Sequence, residues 1–355
     1  MSEINFGKSV TLKQAAKIIV ASPQNRYLLR GEPGIGKSSL TATLKEMLPR
    51  HHLAYMDVPN MDLGDIAMPV VDKDSRTTKY YPNSRFMFHT GEPVIVNLDE
   101  FTKGAQPVMN MLHPLLEAHN PRLGDVAVHN ESIIFLTGNL VTDGVGDNLK
   151  AHTLNRIIPL TIQKPTFDEW AEWAMNNGIA PEILAFGRQV PHIFASYTDG
   201  NQKENPYIYN PLKPTQAYVS PRSLERASNI VNIRSQLDAD SVIAALTGAC
   251  GESFARDFQA YIDFSDQLPT WESTIKDPHN ALVPKSAGAA AIVVFGAIQK
   301  VDKTTIEPFM TYLERFEEEW QAAFAINIAK SKTKQSVAFS CKKFSEWVAK
   351  NEDLL

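Results

Sequence analysis

Two short stretches hold residues whose types and spacing can do chemistry: GEPGIGKS at 31–38 and PVIVNLDE at 93–100. The first fits G-x-x-x-x-G-K-[ST] at every position, and its chemistry is anion binding. Glycines let the backbone curl until successive N–H groups face inward. A helix opening near Lys37 adds the positive end of its dipole. Gly31, Glu32, Pro33, Gly34, Ile35 and Gly36 are therefore expected to cradle phosphate, with Ser39 following at the head of the helix. Lys37 would reach the β- and γ-phosphates of a nucleoside triphosphate, and Ser38 would bind Mg2+.

In the second stretch an apolar run ends in two carboxylates. Asp99, at the carboxyl end of a strand, is expected to bind the same magnesium, directly or through water. Glu100 stands where a base could polarise an attacking water. The adjacent pair points to a hydrolytic motor, because a GTPase switch or nucleotide kinase would usually lack the second carboxylate. Asn97 either hydrogen-bonds neighbouring backbone or orients Glu100. Other chemistries find no support. His113 and His119 flank Glu117 without forming H-E-x-x-H, and there is no G-x-S-x-G elbow. Cys250 and Cys341 lie far apart and read as two reduced thiols.

These residues need a scaffold. Strand signals lie at Tyr27–Leu29, Leu53–Val58, Val94–Leu98, Ile133–Thr137 and Ile157–Ile162. Helical spacing appears at residues 11–21, Lys37–Leu48 and Ala105–Ala118. Alternating strands and helices predict a parallel α/β sheet. Runs such as PVIVNL and SIIFLT are apolar nearly throughout, as in strands covered on both faces. Beyond Lys164–Pro165 the chain reads as helices, with a polar loop at Tyr197–Tyr218. The expected organisation is an α/β nucleotide-binding domain over 1–165, a helical lid over 166–255 and a helical extension over 256–355. Trp170 and Trp173, three apart, are expected to share a helix face in the lid core.

The 355 residues carry a net charge of −5, with 43% hydrophobic and 21% charged residues. That balance suits a globular protein with a sizeable core and argues against a surface that coats nucleic acid. The N-terminus lacks the apolar stretch of a signal peptide, and the longest apolar run, Ala287–Gln299, is too short to span a bilayer and reads as a buried helix. A cytoplasmic location without membrane contact is the expectation.

Further elements carry a resemblance. IIFLTGN is an apolar strand ending in Thr137, Gly138 and Asn139; LNRIIPL carries Arg156; SPRSLERAS carries Arg222. Their order after the two stretches above resembles the AAA+ ATPases, and more closely the MoxR-like branch and its dynein-related kin. MDLGDIAMPVVDKDSRTTKYYPNSRF is similar to the insert this branch carries before the acidic strand, at about 60–90. NPRLGDVAVHNESIIFLTGN is similar to its hairpin before the polar-tipped strand, and FDEWAEWAMNNGIAPEIL to the start of its lid.

The resemblance implies an ATP- and Mg2+-dependent ATPase in a homo-oligomeric, hexameric ring. Asn139 would help hold the attacking water, Arg156 would reach the next subunit's nucleotide, and Arg222 would sense the γ-phosphate from the lid. The family often shows an acidic residue before the finger arginine. Asn155 stands there, and Lys150 and His152 offer other cations nearby. ATP rather than GTP follows from the resemblance, with no N-K-x-D guanine reader in the chain. The resemblance also implies a remodelling chaperone acting on a protein client with a von Willebrand A-domain partner. The rival is a nucleic-acid motor similar to McrB-like restriction ATPases. Within Asp57–His89, Arg76, Lys79, Tyr80, Tyr81 and Arg85 could grip a polypeptide, stack on single-stranded nucleic acid, or belong to a solvated loop.

Overall fold

Near-continuous apolar runs become the inner strands of a parallel sheet, and the segments between them become its helices and hairpins. The computed structural model describes residues 8–140, 149–265, 268–331 and 333–351; most of the N-terminal stretch read for a leader, residues 1–7, lies outside them. The chain divides into two compact units, Met1–Lys164 and Pro165–Leu355.

In chain order the first unit contains α1 (Leu12–Ala21), β1 (Tyr27–Arg30), α2 (Leu40–Met47), β2 (His52–Asp57), β3 (Ala67–Asp72), β4 (Thr77–Pro82), β5 (Val94–Asp99), α3 (Gln106–Leu112), β6 (Arg122–Leu123), β7 (Val126–Ala127), β8 (Ile133–Gly138), α4 (Ala151–Leu154) and β9 (Ile158–Thr161). All five expected strands form, in the order β2-β5-β8-β1-β9 and parallel throughout. β8 lies between β1 and β5, so the loops leaving the carboxyl ends of these three strands are neighbours. In open α/β sheets that end is where ligands bind.

Alternation along the strands fills a core on each face. β5 sends Val94, Val96 and Leu98 to one apolar cluster and Ile95 to another, which also holds Leu40 and Leu44 of α2. Thr11 caps α1 in a reciprocal box with Gln14. The helix expected over Ala105–Ala118 is shorter: α3 ends at Leu112 and a 3-10 turn, His113–Leu116, follows with Pro114 inside it. Proline lacks the N–H that a continuing α-helix would use.

The segment between β2 and β5 carries a hairpin of β3 and β4, six residues in each strand and antiparallel. It is exposed along most of both strands, with Val71 at 69% and Met68 at 57%. A smaller hairpin, β6 and β7, meets it. The backbone N–H of Tyr80 donates to Asp125 Oδ2 at 2.7 Å, and the N–H of Asp125 returns a bond to the Tyr80 carbonyl at 2.9 Å. Gly124, at φ 56°, makes that approach possible; a Cβ there would overlap the Tyr80 carbonyl.

The second unit is helical: α5 (Phe167–Asn176), α6 (Pro181–Gln189), α7 (Pro221–Ile233), α8 (Ala239–Cys250), α9 (Glu252–Ser265), α10 (Trp271–Lys276), α11 (Ala287–Lys300), α12 (Ile306–Leu313), α13 (Glu318–Lys330), α14 (Gln335–Ser340) and α15 (Lys342–Lys350). No α-helix or strand interrupts Tyr197–Tyr218, as expected. One apolar cluster runs from Phe167 to Phe344 and takes in most of α11. α9 passes unbroken through residue 255, so a lid ending there and an extension beginning there share a helix and a core. Trp170 is buried beside Phe194, with ring centroids 5.3 Å apart. Trp173, however, is 41% exposed. Three residues turn a helix by roughly 300°, which carries Trp173 past the edge of the apolar stripe. Among the described residues no helix is long and apolar enough to cross a membrane.

Candidate functional site

β1 delivers the chain to Gly31, where a Cβ would meet the Ile162 carbonyl at 2.9 Å, so only glycine leaves room. Gly34 and Gly36 then take φ values of 79° and 97°, the left-handed region that glycine enters without penalty. The curl closes on a 3-10 turn, Lys37–Ser39, that leads into α2. The helix foreseen from Lys37 thus begins as this tighter turn. Lys37 is buried, and its ammonium donates to the carbonyls of Gly31 at 2.7 Å and Glu32 at 2.8 Å. It also lies 3.5 Å from Asn139 Oδ1. The lysine is thereby fixed inside the loop, and the strand-tip asparagine is brought to it.

Asp99 is the hub of the opposite wall. Its Oδ1 accepts from the Ser38 hydroxyl at 3.0 Å and from the Thr137 hydroxyl at 2.6 Å. Its Oδ2 accepts from the Tyr55 hydroxyl at 2.7 Å. Burial, then the bond to Asp99 and its charge, push the Tyr55 phenol well above its ordinary pKa. Asn97 meets neither expectation: its Nδ2 donates not to neighbouring backbone but to the Thr41 hydroxyl of α2 at 3.2 Å, joining strand to helix. Its Oδ1 is buried without a partner, so it does not orient Glu100.

Glu100 leaves the strand at φ 49°, a conformation uncommon outside glycine. Its N–H donates to Thr137 Oγ1 at 2.9 Å, and its carboxylate pairs with Lys103 at 2.8 Å. Thr137 therefore touches both members of the acidic pair. The sequence marks it only as part of a strand tip. Tyr55 and Lys103 were not foreseen at all.

Arg156 makes its contacts outside this cluster. Arg156 Nε donates to Glu117 Oε1 at 2.8 Å, and Nη1 donates to the His152 carbonyl at 3.0 Å and lies 3.4 Å from His113 Nε2. None of these partners belongs to the phosphate loop. Burial, with help from Arg156 and His152, holds the His113 imidazole below its ordinary pKa. Arg222 belongs to the second unit, exposed in the first turn of α7, which Ser220 caps in a reciprocal box with Ser223.

The residues fit Mg2+. Ser38 and Asp99 offer a hydroxyl and a carboxylate within 3.0 Å of each other. Mg2+ in nucleotide sites keeps waters and takes one or two such oxygens plus phosphates, rather than a cage of side chains. Among the described residues no group of three or more His, Cys, Asp or Glu could form such a cage.

A left-handed glycine loop between a buried strand and a helix, facing an acidic pair across a parallel sheet, defines the class: a P-loop nucleotide-binding core. Comparison with known proteins agrees. Residues 26–156 match the family model described as AAA domain (dynein-related subfamily). The match supports an AAA+ ATPase and leaves its branch open. Among the solved structures that match is a protein of Cytophaga hutchinsonii described as a candidate ATPase. It is 14% identical, the alignment covers 69% of this chain and 82% of that one, and the TM-score is 0.34, a likeness on which nothing here rests. No curated protein matches.

Proposed function

We propose that this protein hydrolyses ATP as a subunit of an AAA+ ring of the MoxR-like branch, hexameric and acting on a protein client with a von Willebrand A-domain partner. The observation that carries the hydrolytic reading is the convergence of Lys37, Ser38, Asp99 and Glu100 where β1 and β5 end. The exposed insert hairpin and its neighbour before β8 favour the branch.

In this reading the N–H groups of residues 31–38, other than Pro33, which has none, and the Lys37 ammonium bind the triphosphate. Ser38 and Asp99 hold Mg2+, which would neutralise charge on the β- and γ-phosphates when bound. Glu100 accepts a proton from the attacking water, which Asn139 helps to place. Lys103 holds the Glu100 carboxylate and the Thr137 hydroxyl accepts from its backbone N–H. Arg156 completes the site of the adjoining protomer, and Arg222 reports on the γ-phosphate from the lid, residues 166–255.

Nucleotide binding by calorimetry and phosphate release together test the proposal. Lys37→Ala is expected to abolish ATP binding. Glu100→Gln is expected to bind ATP normally and cut turnover about a hundredfold or more, in the range of lost general-base catalysis. Undiminished turnover in Glu100→Gln would refute the hydrolytic reading. Stimulation by duplex or single-stranded DNA with steep salt dependence would favour a nucleic-acid motor over a protein remodeller.

A further inference from the structure

We infer that Tyr55 is a positioning residue for the magnesium-binding carboxylate: from the edge strand β2 its hydroxyl fixes Oδ2 of Asp99. The inference rests on the role proposed above for Asp99 and adds a residue that the phosphate-loop pattern does not contain.

The geometry sets out why a third donor matters. Ser38 and Thr137 both donate to Oδ1. Two bonds to one oxygen still let the carboxylate pivot about it, because the terminal torsion of aspartate is broad. The Tyr55 hydroxyl, at 2.7 Å from Oδ2, removes that freedom. Ser38 is the donor whose oxygen would turn toward the metal. Thr137 and Tyr55 then remain, one on each carboxylate oxygen.

The sheet makes the reach possible. β2 pairs with β5 so that Tyr55 stands opposite Asn97 and Asp57 opposite Asp99. Tyr55, Asn97 and Asp99 therefore share the sheet face that carries α2, where Asn97 meets Thr41. A tyrosine leaning along its strand covers the two-residue offset to Asp99. Tyr55 is 54% exposed, so loss of the hydroxyl leaves the core untouched.

The test uses the full chain carrying Glu100→Gln, which is expected to hold nucleotide and consume it only slowly. Mn2+ stands in for Mg2+ and is titrated by electron paramagnetic resonance against the ATP complex. Tyr55→Phe is expected to weaken Mn2+ binding about three- to tenfold, the loss of one hydrogen bond to a charged, partly solvated group. Its melting temperature and its metal-free affinity for ATP should stay as in the parent. Tyr55→Leu, which also lacks the hydroxyl, should behave alike. Unchanged Mn2+ affinity in Tyr55→Phe overturns the inference. Asp99→Asn separates the two levels: if it too leaves Mn2+ binding intact, the reading of the metal site fails. If Asp99→Asn abolishes binding while Tyr55→Phe does nothing, only the role of Tyr55 falls.

Discussion

Replacing Gly124 by alanine isolates the contact between the two hairpins of the nucleotide-binding unit. Gly124 sits at φ 56°, where an L-residue costs roughly 1–2 kcal/mol. Its new methyl would also overlap the Tyr80 carbonyl oxygen and lie 2.9 Å from the carbonyl carbon. Backbone atoms cannot rotate aside, so one hairpin must shift. The bonds at 2.7 and 2.9 Å between Tyr80 and Asp125 then weaken, each worth about 1 kcal/mol. The sum is about 2–4 kcal/mol of local destabilisation. Amide hydrogen exchange should read it as a loss of protection of at least about thirtyfold at Tyr80 and Asp125. Gly91→Ala is the control, since Gly91 has φ 70° but nothing within 4 Å of the added carbon. It carries strain without overlap and leaves the Tyr80 and Asp125 amides protected. Equal protection of those amides in wild type and Gly124→Ala would refute the reasoning.

Arg156→Ala should reduce turnover about a thousandfold or more while sparing ATP binding. Mixed with Lys37→Ala subunits, it should regain part of the lost activity, since each supplies what the other lacks; no recovery across mixing ratios would count against action in trans. Trp170→Ala should cost about 3–5 kcal/mol in denaturant unfolding of the helical unit, and Trp173→Ala should be nearly neutral by comparison. Asp302 accepts bonds from Thr304 and Thr305 ahead of α12, and these lower its carboxyl pKa to about 2. Because the folded value lies below the unfolded one, its contribution is complete above the unfolded pKa and disappears as pH falls toward 2. The stability difference between wild type and Asp302→Asn should therefore be present at neutral pH and vanish in strong acid.

The sheet was legible because its inner strands are buried on both faces and so nearly free of polar residues. β5 and β8 announce themselves in this way, and glycine spacing marks the loop after β1. The insert was legible only by resemblance: β3 and β4 are exposed on both faces, so neither alternation nor a continuous apolar run betrays them. At the site, residues 31–38, Asp99 and Glu100 could be read because backbone shape and metal chemistry restrict which types can stand there. Tyr55 could not, since its link to Asp99 depends on the register between two strands far apart in the chain. Trp173 misled because spacing gives an angle around a helix but not the width of the face that is covered. The pairing of Arg156 with Glu117 was equally hidden, because it joins residues far apart in the chain.

The continuous apolar cluster from Phe167 to Phe344 has a consequence for synthesis. Helix α6 cannot finish burying its surface until α11 and α13 exist, nor α9 until α11 does. At ribosomal speeds of 5–20 residues per second, that leaves sticky surface waiting on the order of ten seconds or longer. A premature stop after α12 would strand Phe309, which packs on Phe324 of α13, and the side of α11 that α13 covers. Such a truncated product should precipitate or be degraded, leaving no trimmed but working ATPase.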